Sequence, residues 1–323
     1  MKRTERQIYI YDVSVRSRSR HAVPPPLSDV IVALRAAVDG QLAVIERDRG
    51  TIIYRIGELE VDDIANTVTL LIRRGDTNAS NAVYSHRVTG ASRVAEREED
   101  EVGDRAAHLV ISLVSESARP GRYLAHLEGV PAIGHRVVQA LLNRAVSQAT
   151  KNNLSFFSYD DPAGARDHQG SLKTHPFVPL IELLGHPHEN LINDLEQGTV
   201  SQITLIDARP KGQLGGNQYL EEREHIVQVK VDSAMPAGNR LAGLIGAART
   251  RRASFQTAAI RFKDPQGHNR TVKFDIDSGN PEQLQYLASY DISGVAPPLN
   301  DSSDHIVVRL ADQIKRRIQS DRS

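Results

Sequence analysis

The sequence predicts an α+β protein built from two domains, each a mixed, mainly antiparallel sheet with flanking helices. Three observations predict it. Several short segments alternate apolar and polar residues, as in 7–15 (QIYIYDVSV) and 122–128 (RYLAHLE), the period of half-buried strands. Tight turns, Asp48-Arg49-Gly50 and Asp264-Pro265-Gln266-Gly267 among them, join neighbouring strands into hairpins. A few longer segments carry apolar residues at helical spacing. The 323 residues suffice for one large domain or two ordinary ones.

In chain order, residues 7–15 read as a strand, followed by a loop through the Arg/Ser tract 16–20 and the three prolines 24–26. Ser28 is the expected N-cap of a helix over 29–38, with Val30, Ile31, Leu34 and Val38 on one face and Gly40 at its end. Strands follow at 41–47, 51–59 and 67–74. Residues 75–105 are polar and hold the run 96–104 (EREEDEVGD), with six acids, one arginine and a local charge of −5. Such an excursion reads as a flexible insertion or an exposed hairpin. Strands at 106–114 and 122–128 flank the turn Arg119-Pro120-Gly121, and 134–150 reads as a helix. Residues 1–150 thus form the expected N-terminal domain, with its polar, acidic insertion at 75–105.

Residues 151–173, rich in Asn, Asp, Gly and Ser, read as a linker or mobile loop. The expected C-terminal domain is 174–323. It holds a strand at 177–184, a helix at 187–197 ended by Gly198, a strand at 200–206, the polar loop 208–218 and a strand at 225–231. A helix at 239–252, a hairpin of strands 257–263 and 271–276, and an amphipathic helix at 303–319 complete it.

Composition removes several chemistries. There is no cysteine, hence no disulfide, thiolate nucleophile or thiolate-bound metal. Aromatics make up 5% and tryptophan is absent, so the cores are aliphatic and base stacking is disfavoured as a binding mode. The basic, alternating start lacks the apolar centre of a signal peptide, and no apolar run reaches the roughly 18 residues that span a bilayer. A cytoplasmic protein without a membrane span is the expectation.

The charge distribution points to a partner. The formal net charge is +0, yet residues 249–273 carry Arg249, Arg251, Arg252, Arg261, Lys263, Arg270 and Lys273 against one acid, Asp264, a local charge of +6. Charge sorted in this way commonly faces a polyanion, most often nucleic acid. The helix-end arginines also complement the helix dipole, a structural reason for their position. One catalytic pattern stands beside this. Asp207 at a strand end and Gln228-Val229-Lys230 within a neighbouring strand match the acid, then Gln-x-Lys, of metal-dependent nucleases. There carboxylates hold Mg²⁺ or Mn²⁺ and the lysine steadies the attacking water. An ordinary polar outward strand face explains the same residues.

Weaker signals complete the survey. His175, His186 and His188 lack a recurrent zinc spacing and a nearby acidic partner. Gly212, Gly215 and Gly216 form no recognised phosphate loop and read as a flexible segment. Arg73 and Arg74 read either as a second basic contact or as neutralising partners of the acidic run. No cofactor is called for outside the nuclease alternative.

The strand–helix–two-strand block up to Leu59, the stretch DEVGDRAAHLVISL and the segment GRYLAHLEGVPAIGHRVVQALLN together resemble the lambda phage RexA exclusion proteins and the B subunits of the Kiwa anti-phage system. The segment THPFVPLIELLGHPHENLINDLEQGTVSQITLID is also similar to the start of their second half. The resemblance lies in layout across much of the chain. It implies a two-domain α+β protein, a homodimer that binds DNA and acts in phage exclusion or a related defence system, with a second defence protein as a further partner. The expected function is therefore non-enzymatic binding of double-stranded DNA. The alternatives are a metal-dependent nuclease effector and a protein-binding sensor module.

Overall fold

The computed structural model describes residues 3–17, 19, 21–117, 120–153, 156–166, 168–208, 212–213, 221–222, 224–232, 235–236, 238–276, 281 and 286–322. In order, the elements are β1 (Glu5–Ser17), α1 (Leu27–Asp39), β2 (Val44–Arg47), β3 (Ile52–Asp62), β4 (Thr67–Asp76), β5 (Ala82–Ser85), β6 (Ser92–Ala95), β7 (Gly103–Ser115), β8 (Arg122–Glu128) and α2 (His135–Asn152). They continue with β9 (Ser158–Asp160), β10 (Thr174–Pro176), β11 (Pro179–Gly185), α3 (Glu189–Gln197), β12 (Thr199–Asp207), β13 (Gly212–Gln213), β14 (Glu221–Glu222) and β15 (His225–Lys230). The chain closes with α4 (Arg240–Arg249), β16 (Thr257–Lys263), β17 (Asn269–Asp275), β18 (Ser289–Ser293) and α5 (Val308–Arg322). The α+β class is as the sequence predicts.

Two compact units result, but the chain divides differently from the expected boundary at 151–173. The first unit is Met1–Leu183 together with Tyr290–Ser323, and the second is Leu184–Ser289. The cause is the destination of α5. Its buried residues Leu310, Ile314 and Ile318 pack in one cluster with Ile8 of β1 and Val110 of β7. Amphipathic spacing shows that a helix has an apolar face, not which sheet receives it. Residues 151–173 are likewise more than a tether. β9 pairs with β10, and Phe157, Tyr159 and Phe177 cluster with ring centroids 6.0 and 6.1 Å apart.

The sheet of the first unit runs β11-β1-β8-β7-β4-β3-β2, with β18 also on β1. The ladders from β1 through β2 are antiparallel. Residues 67–72 of β4 are buried without alternation, because both faces of the sheet are covered. Leu71 and Ala106 face α5, while α1 and α2 pack together and against β2 and β3. α1 starts two residues earlier than expected. Pro26, with its ring-fixed φ of −62°, stands at the cap in place of Ser28, and its carbonyl accepts the Asp29 amide at 3.2 Å. Residues 75–105 resolve into the end of β4, the β5–β6 hairpin and the start of β7.

The second unit is a four-stranded antiparallel sheet in the order β15-β12-β16-β17. One face is covered by α3 and α4. Leu191, Leu195, Leu244 and Ile245 pack there on Val200, Ile203, Leu205, Ala258, Ile260, Phe262, Val272 and Phe274. Gly198 makes the step from α3 into β12. A Cβ at that position would run into the carbonyl oxygens of Lys263 and Asp194. Gly198→Ala is therefore expected to lower stability by about 1–3 kcal/mol, read as a lower urea midpoint at unchanged slope.

Candidate nucleic-acid interface

Strand alternation decides what the second sheet presents. Positions 200, 203, 205 and 207 of β12 and 258, 260 and 262 of β16 are buried on the helix side. The positions between them turn to the other face. Register then fixes the rows. Lys230, Gln202, Arg261 and Thr271 lie side by side across the four strands. The next row is Gln228, Thr204, Ala259 and Lys273, and the last is Ile226, Ile206, Thr257 and Asp275. Lys263 lies two residues beyond Arg261 on the same face. Lys230, Arg261, Lys263 and Lys273 are all exposed. Lys230, Arg261 and Lys263 have no ion-pair partner among the described residues. Across two strand spacings Lys230 and Arg261 stand about 10 Å apart, and Arg261 and Lys273 are diagonal neighbours at about 7–8 Å. Cations so spaced can each meet a different phosphate. They suit a chain of phosphates.

The seven cations of residues 249–273 do not form one patch. Arg261, Lys263 and Lys273 share the open face, whereas Arg249 closes α4, on the helix side, and its Nε donates to the Ile276 carbonyl at 3.2 Å. Arg251 and Arg252 occupy the turn leading from α4 to β16. That turn meets β16 at Thr257, six residues and about 20 Å along the strand from Lys263. Arg270 pairs with Phe262 across the ladder, so it points to the helix side. Its Nε donates to Asp264 Oδ2 at 3.2 Å. Asp264 also accepts the His268 amide at 2.8 Å, closing the hairpin turn. The single acid of the basic segment is thus a turn residue that holds one of its cations. Lys230, read from sequence only as part of a nuclease pattern, replaces Arg270 on the open face.

No family model, characterised protein or solved structure matches this chain.

The nuclease constellation does not assemble. Asp207 is buried on the helix side, opposite His225. Gln228 and Lys230 lie on the open face, opposite Thr204 and Gln202. An acid and a lysine on opposite faces of a sheet cannot share a metal and its water. Tandem strands with matching residue types suggested the pattern, and register dissolves it. The other sequence signals separate too. His188 caps α3, its Nδ1 accepting the Asn190 amide at 3.0 Å, and His175 Nε2 lies 2.7 Å from Asp161 Oδ2. Gly215 and Gly216 lie outside the described residues, and Gly212 pairs with Glu222. Arg73 pairs with Asp104 at 2.7 Å and Asp304 at 2.9 Å, and Arg74 with Asp76 at 2.7 Å. These two arginines neutralise acids, including the last acid of the 96–104 run.

The first unit holds a buried polar network that the sequence did not announce. Glu128 Oε1 accepts Arg6 Nε at 2.7 Å, and Oε2 accepts the His108 amide at 3.1 Å and lies 2.7 Å from His108 Nδ1. His108 Nε2 accepts the Val307 amide at 2.9 Å, which places the ring proton on Nδ1. Arg6 also donates to the Asn300 carbonyl at 3.0 Å. A cavity of about 620 Å³ opens above, lined in part by Asn300, Ser303, Val307 and Arg309. Each carboxylate oxygen and each His108 nitrogen is engaged, so the network clamps the chain. The one available sequence signal was phase. In RYLAHLE, His126 and Glu128 alternate with Ala125 and Leu127 in a strand buried on both faces.

Two outcomes follow. Glu128→Ala leaves Arg6 buried without its carboxylate and is expected to cost about 3–5 kcal/mol in a urea titration. At the hairpin turn, burial pushes the Asp264 carboxyl up, but the His268 amide and the Arg270 and His268 side chains outweigh it and hold it below the usual value. A depressed carboxyl stabilises the fold above the ordinary carboxylate range and ceases to as pH falls through its own folded value. Amide exchange at His268, corrected for intrinsic rate, is therefore expected to accelerate below about pH 4.

Proposed function

We propose that this protein binds double-stranded DNA without cleaving it, through the open face of the sheet in residues 184–289. The observation that carries the reading is the set of exposed cations Lys230, Arg261 and Lys263, without an ion-pair partner among the described residues, with Lys273 beside them, on a sheet face that no described helix covers. Glutamine and threonine side chains at 202, 204, 228 and 271 fill the spaces between and add neutral donors for phosphate oxygens. Among the described residues the face carries no aromatic side chain, so its strands offer no platform for stacked bases and suit a duplex backbone better than a single strand. The layout resemblance to phage-exclusion and anti-phage proteins supports the same partner. On that resemblance we read the activity as part of a defence or exclusion system, with the protein acting as a cytoplasmic homodimer.

Fluorescence anisotropy on a short duplex tests the reading. Three to four neutralised phosphates give a log–log salt slope of about −3 to −4. The triple variant Lys230→Ala, Arg261→Ala, Lys273→Ala is expected to flatten that slope by about 2–3 units. The triple variant Arg249→Ala, Arg251→Ala, Arg252→Ala is expected to leave it nearly unchanged. Absence of wild-type binding at about 50 mM salt overturns the proposal, as does a slope that responds to the helix-end arginines and not to the sheet face. Cleavage of plasmid with Mg²⁺ or Mn²⁺ would reinstate an enzyme.

A further inference from the structure

The β5–β6 hairpin stands apart from every other strand of the first unit. β5 and β6 pair only with each other among the described residues, Val83 opposite Val94 and Tyr84 opposite Arg93. Every residue from 82 to 94 is exposed, on both faces of the ribbon. An isolated two-stranded ribbon is marginal in water, and this one also leaves Val83, Tyr84, Val94 and the tip residue Val88 uncovered, Val88 at 86%. Apolar side chains displayed together on an exposed arm mark a surface meant to be met.

The arm is braced at both ends. At its base Arg97 donates to the Asn81 side chain at 2.9 Å and to the Ala79 carbonyl, tying the outgoing leg to the incoming one. At its tip His86 Nδ1 accepts the amides of Val88 and Thr89 at 3.3 and 3.2 Å, and Gly90 turns the chain at φ +70°. The turn is therefore ordered by its own imidazole, which leaves the Arg87 and Val88 side chains to project. The Arg93 guanidinium lies 5.0 Å from the centre of the Tyr84 ring.

Charge identifies the partner. From Thr77 to Ala95 the chain contains Arg87 and Arg93 and no acid, whereas the six acids of 96–104 begin immediately after the arm. A polyanion is attracted to the tip and repelled from the base. Size identifies the surface. A two-stranded ribbon fits the major groove of B-DNA, about 12 Å wide and 8.5 Å deep, and not the minor groove of about 6 Å. The seven residues from Ala82 to Val88, six steps of the chain, reach at most about 20 Å, more than the groove is deep.

We propose that the β5–β6 hairpin is an arm whose tip enters the major groove of duplex DNA. Arg87 has the fork geometry for guanine O6 and N7, and Val88 suits a thymine methyl. The inference rests on the DNA reading above but on a different part of the chain, so the two can fail separately.

The test is equilibrium binding of the full chain to a short duplex, and to the same duplex with its major groove filled by glucosylated 5-hydroxymethylcytosine. Filling the groove is expected to weaken wild-type binding roughly tenfold. The variant Arg87→Ala, Val88→Ser, Arg93→Ala is expected to show that same loss on the plain duplex and no further loss on the filled one. The Lys230, Arg261, Lys273 variant is expected to lose affinity for both duplexes alike, and netropsin in the minor groove is expected to change nothing. Equal wild-type affinity for both duplexes, with the arm variant unchanged, overturns the arm and leaves the sheet face standing. An arm variant that loses the same factor on both duplexes marks a backbone contact and overturns groove entry, as does competition by netropsin. No wild-type binding to either duplex overturns both proposals. A thermal melt confirms the arm variant is folded, and the wild-type comparison of the two duplexes does not depend on it.

Discussion

One buried carboxylate ties together the most distant parts of the first unit. Glu128 sits at the end of β8 and accepts from Arg6 of β1 and His108 of β7, while those partners reach the Asn300 carbonyl and the Val307 amide. Its charge is removed from water and held by three donors, an arrangement that is favourable only while all of them are present. The network therefore acts as a registration device. It requires β1, β7, β8 and the segment before α5 to be in place together, and the apolar packing of Leu310, Ile314 and Ile318 against the same sheet follows from that placement.

In the second unit the corresponding constraint is the two-residue period of the strand. It sends Ile203, Leu205 and Asp207 toward the helices and Gln202, Thr204 and Ile206 away from them. Every functional statement about this unit depends on that parity. It unites Lys230 with Arg261 and Lys273, and it separates Asp207 from Lys230. It also gives Arg270 to Asp264 rather than to the open face.

Much of this was legible in residue order alone. The strands near 7–15, 67–74 and 106–114 and the hairpin 257–263 with 271–276 were visible because each pattern is local. Arg261, Lys263 and Lys273 were visible for the same reason. What could not be read was pairing. The Arg6–Glu128 contact spans 122 residues, and the contact from Arg6 to Asn300 spans 294. The face that Lys230 shares with Arg261 depends on the register of two ladders, which no spacing along one strand reveals. The helix near 303–319 was recognised as amphipathic, yet its partner sheet had been left behind some 200 residues earlier in the chain, between β1 and β7. The acidic run of 96–104 read as a feature in itself, whereas Arg73 and Arg97 bind its ends into the base of a hairpin.

The return of the chain to its first unit bears on the order in which the protein is made. Residues 184–289 form a contiguous block whose entry and exit are stitched together, the His188 amide to the Tyr286 carbonyl and the Ala288 amide to the His186 carbonyl, each at 2.8 Å. This block emerges from the ribosome whole and can close at once. The earlier unit must wait. Until residues 290–323 are synthesised, β1 lacks β18, the face of Leu71 and Val110 lacks α5, and Arg6 lacks its carbonyl at Asn300. The part of the chain translated first is completed last, and for the time it takes to add the intervening residues it carries an uncovered apolar sheet face, the state in which nascent proteins most need shielding from their neighbours.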